Sequence, residues 1–487
     1  MTSKQTTIDI FHVPTNITLN TLTETIIGDE SHAVVLRYPE ISVTDINHIA
    51  NVLQTNQHDY LEQLTTSQII DVISQVAEKW TDPTYYLRQV AETAIPITTG
   101  YNADQVKLEL KRFIRLFRKK ELKRFVNSEI GHAGAMLDDF QPNLAGGFSK
   151  FFGPDLIFQI FSGNVPGIQL WTLIMGLLVK SPTLGKLSFS EPIMPALFVQ
   201  TLAEIDSRLA DSIAILPWHS GQELEKAGIE VADTVVVCGG EIAVKKVKAQ
   251  VPLDKKVLSY GYKIGFVIVG REALTPEYYP QTIKKIAEDI SIYDQQSCLA
   301  PQSIFVERGG AITTDEFSAL LATELNNYQI KYSRAILQES EKLAIEKMRQ
   351  ATDIESIENS RTLLFASEDS TSWTVAFHDH LGFSASPLNR SVHVFSIDDF
   401  LQLQPILKPY QSYLQTAGVA IAPKRLFALA NVLGKLGVSR MSAVGQMNHV
   451  SSAWHHDGHF NLLDLVRVTD IENSLEVESE YFDADVE

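Results

Sequence analysis

The residues with the clearest capacity for chemistry are the five that end at Cys298, namely Asp294-Gln295-Gln296-Ser297-Cys298. Cys298 is one of only two cysteines among the 487 residues, and it lies between a helix predicted over 281–293 and a strand predicted over 302–307. A side chain on such a loop can face a cleft. A thiolate is a strong nucleophile, and an acyl group held on its sulfur can be reduced or hydrolysed. The alternative is a small buried residue, the most common role of a free cysteine.

Two turns that follow predicted strands carry glycine and an amide side chain. Gly163-Asn164-Val165-Pro166 follows the strand predicted over 156–161, and Gly239-Gly240 follows the strand predicted over 234–237. Ligands of open α/β sheets bind at the carboxyl ends of strands, where an asparagine amide can stabilise an oxyanion. Glycines before a helix let the backbone approach a pyrophosphate. Both turns also fit plain connections, and Gly239-Gly240 lacks the GxGxxG spacing of the usual dinucleotide motif.

A third group of residues with capacity for chemistry is the histidine-rich run His455-His456-Asp457-Gly458-His459. Adjacent histidines point to different sides of a helix or a strand, so they rarely bind the same ion. No cysteine and no second acidic cluster completes a ligand set in the sequence around them. We therefore predict that the protein carries no metal ion.

The elements that must position these residues follow two patterns. Early in the chain, strands are predicted at Thr7 to Leu22 and His32 to Arg37, and helices follow at Val43 to Leu53, Thr66 to Trp80, Asp82 to Ala94 and Asn102 to Glu129. From Leu156 onward, strands alternate with helices, which is typical of parallel-sheet α/β proteins. A second α/β unit is predicted from about Val257 to Ala422.

Two segments carry a strong local charge. The helix predicted over 102–129 is rich in lysine and arginine. This composition fits either a solvated face or attraction for an anionic substrate such as a CoA thioester. The tail over 470–487 is acidic, and we expect either a disordered tail or an edge segment with a strand.

Composition places the chain among ordinary globular proteins. Its length predicts two or three domains, and its net charge of −18 argues against general affinity for nucleic acid or an anionic membrane. Cys238 and Cys298 cannot form a disulfide framework, which is typical of a reducing compartment. The polar start, Met1 to Gln5, lacks the pattern of a signal peptide, and the most apolar window, Ile168 to Val179, is too short for a transmembrane segment. We expect a cytoplasmic protein.

Four windows in the same order resemble the acyl-CoA reductase (LuxC-type) family of the aldehyde dehydrogenase superfamily. They are Ser162-Gly163-Asn164-Val165-Pro166, Val235-Val236-Val237-Cys238-Gly239-Gly240-Glu241, Asp294-Gln295-Gln296-Ser297-Cys298 and Ser386-Pro387-Leu388-Asn389-Arg390. The resemblance runs over roughly residues 70 to 470. It implies an aldehyde-dehydrogenase-like α/β fold with a Rossmann-type cofactor domain and an α/β catalytic domain.

The resemblance also implies roles for individual residues. Cys298 matches the catalytic nucleophile, and Asn164 matches the oxyanion-hole asparagine that works with the backbone N–H of Cys298. Lys186 matches the lysine that binds the adenosine ribose of the cofactor. Gly239 and Gly240 match the turn whose helix receives the pyrophosphate.

Two departures from the superfamily pattern bear on the reaction. Ser259 stands where hydrolytic aldehyde dehydrogenases carry a glutamate that activates water, and a hydroxyl is a poor base near neutral pH. This favours thioester reduction over acid formation. Phe189 stands where many NAD-specific members place a glutamate on the ribose, so the 2′-phosphate of NADPH is permitted. Ser188 or Ser190 could bind that phosphate, whereas the nearby Glu191 leaves NADH open.

The activity implied by the resemblance is NADPH-dependent reduction of a fatty acyl-CoA, or another activated acyl group, to an aldehyde through a thioacyl-enzyme on Cys298. The alternatives are an aldehyde dehydrogenase that makes acids, an acyltransferase or thioesterase, and a non-catalytic scaffold that binds acyl groups or a cofactor. The substrate would be an acyl-CoA or an acyl carrier, and a partner protein could transfer or activate the acyl group.

The implied domain organisation has three parts. Residues 1–256 form a dinucleotide-binding domain with an N-terminal helical region, and residues 257–430 form the catalytic domain with the nucleophile. Residues 431–487 return as a C-terminal segment that serves oligomerisation. The superfamily implies a homo-oligomer.

Overall fold

The structure, a computed structural model, describes residues 6–29, 32–219, 222–359, 361–368 and 370–483. The polar start and the last four residues of the acidic tail lie outside these described residues. The chain divides into two compact units. The first comprises Met1–Thr99, Lys107–Gly261 and Ser451–Glu487, and the second comprises Gly100–Val106 and Tyr262–Val450.

The strands of the described residues belong to four sheets. In chain order they are β1 (Thr6–Asp9), β2 (Leu22–Gly28), β3 (Ala33–Pro39), β4 (Gln141–Pro142), β5 (Gly147–Phe152), β6 (Ile157–Ile160), β7 (Thr183–Leu187), β8 (Ile213–Pro217), β9 (Thr234–Cys238), β10 (Lys256–Tyr260), β11 (Ile264–Val269), β12 (Pro301–Glu307), β13 (Thr362–Ala366), β14 (Thr374–His378), β15 (Ser391–Ile397), β16 (Leu414–Ala420), β17 (Arg440–Ala443) and β18 (Arg467–Glu472).

The α-helices connect and cover these strands. They are α1 (Val43–Asp59), α2 (Thr66–Thr81), α3 (Tyr86–Thr99), α4 (Ala103–Ile114), α5 (Lys119–Glu129), α6 (Ala135–Asp138), α7 (Ile168–Leu178), α8 (Ile193–Ile205), α9 (Ser207–Ala210), α10 (Gln222–Val231), α11 (Glu241–Gln250), α12 (Tyr279–Ser291), α13 (Thr314–Lys331), α14 (Glu339–Glu358), α15 (Leu403–Leu407), α16 (Pro423–Lys435) and α17 (Asn473–Glu480). Among the helices so described, none has the length and apolar composition that a membrane crossing requires.

The central sheet of the first unit is parallel and has the strand order β10-β9-β6-β7-β8. The chain enters at β6 and runs outward through β7 and β8, and it then continues on the other side of β6 through β9 and β10. The order therefore reverses between β6 and β9, and ligands of open α/β sheets bind at the carboxyl ends of the strands beside such a reversal. Apolar residues of α1 pack on this sheet and bury Phe158, Leu184 and Val235.

The sheet of the second unit has the order β13-β14-β15-β12-β11-β16-β17, and only β13 runs antiparallel to its neighbour. Val267 and Val269 of β11 join a core cluster with α12 and α13. Phe266 and Ile268 alternate with them and join a second cluster with α15 and α16. Both faces of the sheet are thus buried, as parallel sheets require, which confirms the predicted α/β class.

The acidic tail is ordered where the structure describes it. β18 pairs antiparallel with β5, and the Ser149 hydroxyl donates to Asp470 at 2.5 Å. α17 follows at Asn473–Glu480. The edge-segment alternative is therefore confirmed for these residues and the disordered alternative is wrong, because pairing with β5 satisfies the backbone of the segment.

The long basic helix predicted over 102–129 is in fact two helices. α4 ends at Ile114, and Arg118 has an extended backbone before α5 begins. The N–H of Lys119 donates to the Ser74 hydroxyl of α2 at 3.0 Å, so a tertiary contact fixes the break. Several of the basic side chains form ion pairs, namely Lys119 with Asp71, Arg112 with Glu109 and Arg124 with Glu121. These pairs favour the solvated-face interpretation.

Some predicted boundaries also differ from the structure. In the strand region predicted at 7–22, β1 ends at Asp9 and β2 begins only at Leu22, and α3 begins at Tyr86, four residues after its predicted start. The predicted domain boundary after residue 256 falls inside β10, which pairs with β9, so the first unit continues to Gly261. The second unit continues past residue 430 to Val450, because β17 extends its sheet. The oligomerisation role of 431–487 stays a prediction.

Candidate active site

Cys298 lies in the second unit, on the loop between α12 and β12. α12 buries Ile283, Ile286 and Ile290, and all seven residues of β12 are buried. Both ends of the loop are therefore fixed in the core. Cys298 is partly exposed rather than buried in the core.

The loop before Cys298 adopts an unusual backbone. Tyr293, Asp294 and Gln295 have φ values of 52°, 50° and 68°, a left-handed conformation that costs free energy for residues other than glycine. The Gln295 side chain offsets this cost, because its amide donates to the carbonyls of Pro301 at 2.7 Å and Ser391 at 2.8 Å, and its oxygen accepts the Ser391 N–H at 3.0 Å. These bonds hold the loop in one conformation.

A second left-handed segment, Leu388, Asn389 and Arg390, packs against the first. Arg390 is fully buried, and its Nε donates to Asp294 Oδ1 at 2.8 Å. The N–H of Asn389 donates to the Asp294 carbonyl at 3.1 Å, and the Asn389 side chain accepts from Gln296 at 2.9 Å. Two windows that the sequence analysis treated separately, 294–298 and 386–390, are therefore joined in one hydrogen-bonded structure.

Arg440 is a candidate functional residue that the sequence analysis missed. It lies on β17, and it donates to the backbone carbonyls of Met447 and His449 at 2.6 and 3.1 Å. Burial lowers the pKa of its guanidinium, whereas the charges of Asp289 and of the Cys298 thiolate raise it. The same interaction stabilises the thiolate, the nucleophilic form of cysteine. An arginine on an edge strand belongs to no motif, so only proximity in space identifies it.

We expect Arg440→Gln to slow the alkylation of Cys298 by iodoacetamide at pH 7 by several-fold, because loss of the nearby positive charge lowers the fraction of thiolate. Arg440→Lys is the matched control, since it keeps the positive charge, and it should retain most of the rate. Alkylation kinetics followed by intact-mass spectrometry measure the effect. An unchanged rate in a folded Arg440→Gln protein would contradict the assignment.

Asn164 lies in the first unit, on the turn after β6, and it is exposed. The preceding residue must be glycine, because a Cβ at Gly163 would lie 2.7 Å from the Ser188 hydroxyl and 2.9 Å from the backbone nitrogen of Glu191. The turn after β6 thus packs directly against the turn after β7. The predicted oxyanion residue and the predicted phosphate residue, Ser188, lie on these two turns.

Glu191 cannot bind a cofactor ribose in this structure. Its side chain is fully buried, and its Oε1 accepts the N–H groups of Ile193 at 3.0 Å and Met194 at 2.8 Å at the start of α8. The carboxyl of Glu191 is occupied in capping α8, so this residue does not decide between the two nicotinamides, and NADH stays open beside NADPH.

The buried Glu191 also predicts a pH effect. Burial raises the pKa of Glu191 to about 7, although the N–H groups at the start of α8 act in the opposite direction. Between its unfolded pKa of about 4.3 and this value, the folded protein holds a proton that the unfolded chain has released, so stability falls as the pH rises. We expect Glu191→Gln to remove up to about 1.4 kcal/mol of this fall per pH unit. Urea unfolding at pH 5, 6 and 7 measures the slope, and an identical slope in both proteins would contradict the prediction.

Lys186, on β7, is buried and forms an ion pair with Glu225 of α10. Its ammonium also lies 5.9 Å from the centre of the Trp218 ring. Phe189 stacks on His219 with the ring centres 4.5 Å apart. Sequence reasoning did not find His219, an imidazole beside the turn predicted to face the ribose.

Gly239 and Gly240 lie between β9 and α11. A Cβ added at Gly240 would meet no atom within 4 Å, and one at Gly239 would meet only Ala243 at 3.6 Å. The packing of the protein therefore does not require glycine here. Room in front of a helix N-terminus fits the pyrophosphate of a dinucleotide, which glycine lets approach closely.

The structure thus places Asn164, Lys186, Ser188, Gly239 and Gly240 at or beyond the carboxyl ends of neighbouring parallel strands of the first unit. The predicted nucleophile belongs to the second unit. Ser259 lies on β10, partly buried and in register with Val237.

The histidine-rich run does not form one ligand cluster among the described residues. His456 stacks on Tyr260 with the ring centres 4.2 Å apart, whereas His455 packs edge-on against Phe460. His459 pairs with Asp464 at 3.1 Å. His459 also contacts the Tyr260 ring edge-on, whereas the adjacent His455 and His456 have different ring partners, as expected for neighbours that point to different sides.

A model of the acyl-CoA reductase (LuxC) family matches residues 61–468. The long-chain acyl-protein thioester reductase 2 of Photobacterium leiognathi is 26% identical over 443 residues, which cover 88% of this chain and 86% of the relative. The long-chain acyl-protein thioester reductase of Vibrio harveyi is 23% identical over 460 residues, which cover 91% of this chain and 90% of the relative.

Solved structures share the fold of this chain. Aldehyde dehydrogenase 21 from Physcomitrella patens has a TM-score of 0.70 at 13% identity and covers 97% of this chain and 99% of its own. The indole-3-acetaldehyde dehydrogenase AldA of P. syringae has a TM-score of 0.72 at 13% identity and covers 95% of each chain. The fold is therefore that of the aldehyde dehydrogenases, and the chain belongs to the acyl-CoA reductase (LuxC) family.

Proposed function

We propose that this protein reduces a long-chain acyl thioester to the aldehyde, with Cys298 as the nucleophile and NADPH as the reductant. The family makes the chain an acyl reductase. We propose in addition the identity of the acyl donor, the choice of nicotinamide and the roles of the individual residues. The observation that carries this proposal is the partly exposed Cys298 on a loop that buried hydrogen bonds hold in one conformation. The positive charge of Arg440 interacts with this cysteine.

In the proposed reaction, the Cys298 thiolate attacks the acyl carbon, the donor thiol leaves, and a thioacyl-enzyme remains. Asn164 and the backbone N–H of Cys298 stabilise the oxyanion. The nicotinamide, when bound, supplies the hydride that converts the acyl group to the aldehyde. Ser259 cannot activate water as a glutamate would, so the acyl group is kept for reduction.

The proposed donor is an acyl group on a protein thiol. The relatives from Photobacterium leiognathi and Vibrio harveyi are named acyl-protein thioester reductases, and they align over most of this chain. The net charge of −18 supports the same choice, because it gives no general attraction for a free, highly anionic CoA ester. Acyl-CoA then serves as a simpler donor for the same cysteine.

The proposed cofactor is NADPH. Phe189 brings no carboxylate to the turn after β7, and the carboxyl of Glu191 is buried against α8. No carboxylate of this turn then faces a 2′-phosphate, which Ser188 and Ser190 would bind by their hydroxyls. Lys186 would bind the ribose, and its ion pair with Glu225 fixes its position.

The turn before α11 offers a direct test of cofactor binding. We expect Gly240→Ala to raise the KM for NADPH by about tenfold or more, because the methyl group occupies the space in which the backbone would meet the pyrophosphate. The thermal midpoint should not fall, since the added Cβ meets no protein atom. Initial rates against NADPH concentration, with thermal unfolding alongside, separate the two effects. An unchanged KM for NADPH would contradict the proposal that this turn binds the pyrophosphate.

The proposed function is tested by following nicotinamide oxidation with NADPH or NADH and a series of acyl donors. Acyl-CoAs of increasing chain length are compared with the same acyl groups on a carrier protein, and the product is identified as aldehyde or acid. Aldehyde formation that depends on NADPH and is faster with the carrier supports the proposal. Acid formation from an aldehyde substrate would instead indicate an acid-making aldehyde dehydrogenase, and acyl transfer without nicotinamide oxidation would indicate a transferase.

A further inference from the structure

Three side chains that commonly bind metal ions converge at the β14 end of the seven-stranded sheet. Glu355 of α14 places its Oε1 3.1 Å from Nδ1 of His378 and 3.0 Å from Nε2 of His380. One ligand atom from each of the three side chains can be chosen so that all lie within 4.8 Å of one another. His378 ends β14 and His380 follows in the bend after it, and both rings face Glu355, whereas Asp379 between them pairs with Arg308 at 2.7 Å.

The hydrogen bonds of His380 indicate which of its ring nitrogens has a lone pair facing Glu355. Its Nδ1 lies 3.2 Å from the carbonyl of Leu381, which can only accept, so Nδ1 carries the hydrogen. In a neutral ring the other nitrogen, Nε2, then has a lone pair, and this atom faces the carboxylate oxygen of Glu355. Two acceptors at 3.0 Å repel each other unless a metal ion or a proton on Nε2 lies between them.

His378, which is buried, likewise has one ring nitrogen facing Glu355 and the other held by a neighbouring residue. Its Nε2 lies 3.1 Å from Nδ1 of His393, while its Nδ1 faces Glu355. When His378 donates its Nε2–H to His393, its Nδ1 lone pair is directed at the carboxylate. Imidazoles that bind metals typically have their second nitrogen held by such a hydrogen bond.

We propose that Glu355 Oε1, His378 Nδ1 and His380 Nε2 bind a divalent transition-metal ion, for which Zn²⁺ is the best fit. Two imidazoles and one carboxylate form an established zinc ligand set. The separations of 3.0 and 3.1 Å are near the edge of about 3.3 Å in a tetrahedron of zinc bonds. The Thr362 hydroxyl donates to Glu355 Oε1 at 2.7 Å and orients the carboxylate. Water completes the coordination on the side of the half-exposed His380.

The position of this site assigns it a structural role. β12, β15 and β14 are parallel, and Cys298 precedes the amino end of β12, whereas His378 ends β14 at the carboxyl end. His378 is in register with Phe395 and, through it, with Phe305, the fifth residue of β12. The ion is therefore separated from the start of β12 by about 13 Å along the strands. It ties α14 to the β13–β14 hairpin, outside the acyl chemistry.

The test is a calorimetric titration of Zn²⁺ into the full chain, without a histidine tag, in a Cys238→Ala/Cys298→Ala background that removes both thiols. We expect one equivalent of Zn²⁺ to bind and the thermal midpoint to rise, because the ion binds only the folded site. His380→Gln and Glu355→Gln should each weaken binding by more than tenfold. His455→Gln, an exposed histidine in the other unit, is the matched control and should bind as the background does.

Two further readouts distinguish a coordinated ion from a protonated histidine–carboxylate pair. Co²⁺ in place of Zn²⁺ should give the visible absorption of a four-coordinate site, and His380→Gln should abolish it. Replacing His393 by phenylalanine should weaken binding by about 10- to 100-fold without removing a ligand. Zinc affinity that is absent, or equal in the background and in His380→Gln, would overturn the proposal and leave an ion-paired cluster. Neither result affects the reductase assay, which does not use these residues.

Discussion

Cys298→Ala is expected to abolish formation of the acyl-enzyme and to lower acyl-dependent nicotinamide oxidation by at least about 10⁴-fold. The thiol is the only group at this position that can form the covalent intermediate, and no neighbouring hydroxyl can replace it, because the Ser297 hydroxyl accepts the N–H of Leu299 at 3.2 Å and is largely buried. Intact-mass spectrometry after incubation with an acyl-CoA measures the adduct, and initial rates measure the turnover.

The matched control for this experiment is the other cysteine. Cys238→Ala should still gain one acyl group in the mass spectrum, because Cys238 ends β9 in the first unit and is not the proposed nucleophile. Fold integrity is checked by the thermal midpoint, which should stay close to that of the unmodified protein for Cys298→Ala, since the side chain is partly exposed. Turnover retained in Cys298→Ala would assign the chemistry to another residue.

Local sequence predicted the elements on either side of the nucleophile. The apolar spacing of Ile283, Ile286 and Ile290 predicted α12, and the run before Glu307 predicted β12, because periodicity and strand-forming residues report burial directly. The same reasoning found β6 and β9, whose carboxyl ends carry Asn164 and Gly239. These are the parts of the site that depend on short-range patterns.

The conformation of the nucleophile loop could not be predicted in this way. Tyr293, Asp294 and Gln295 have no intrinsic preference for positive φ that would mark three consecutive left-handed residues. Their conformation is imposed by bonds such as that from Gln295 to Ser391, 96 residues away in the chain. Arg440 is more distant still. Sequence reasoning from single windows cannot find contacts of this kind, since each partner looks ordinary in its own segment.

The burial of Glu191 is a second feature that its position in the sequence did not reveal. Its place five residues after Lys186 indicates only a nearby carboxylate that leaves NADH open, but the turn after β7 directs this carboxyl inward to the first N–H groups of α8. The carboxyl points inward because the free N–H groups at the N-terminus of a helix require a hydrogen-bond acceptor. The broken basic helix has a similar origin, because the Ser74 hydroxyl captures the N–H of Lys119.

The salt bridge between Arg390 and Asp294 is expected to be the most sensitive point of the second unit. Both side chains are buried, and Arg390 also donates to Gln329 at 2.7 Å and to the Tyr332 carbonyl at 2.9 Å. Removing one partner of a buried ion pair leaves an uncompensated charge and costs about 3–5 kcal/mol. We therefore expect Arg390→Met, which keeps an unbranched stem but removes the guanidinium, to lower the free energy of unfolding by this amount in urea titrations.

The double variant Arg390→Met/Asp294→Asn separates the charge from the packing. Without the carboxylate, no unpaired charge remains in the interior, so the double variant should recover at least about 1 kcal/mol relative to the sum of the two single variants. The catalytic rate should remain low in all three proteins, because Asp294 also accepts the N–H of Ala335 at 2.9 Å and its carbonyl accepts from Asn389, and the loop that presents Cys298 depends on this arrangement. If Arg390→Met lost less than about 1 kcal/mol and kept its turnover, the ion pair would not be what holds the nucleophile loop, and the bonds of Gln295 would have to do so alone.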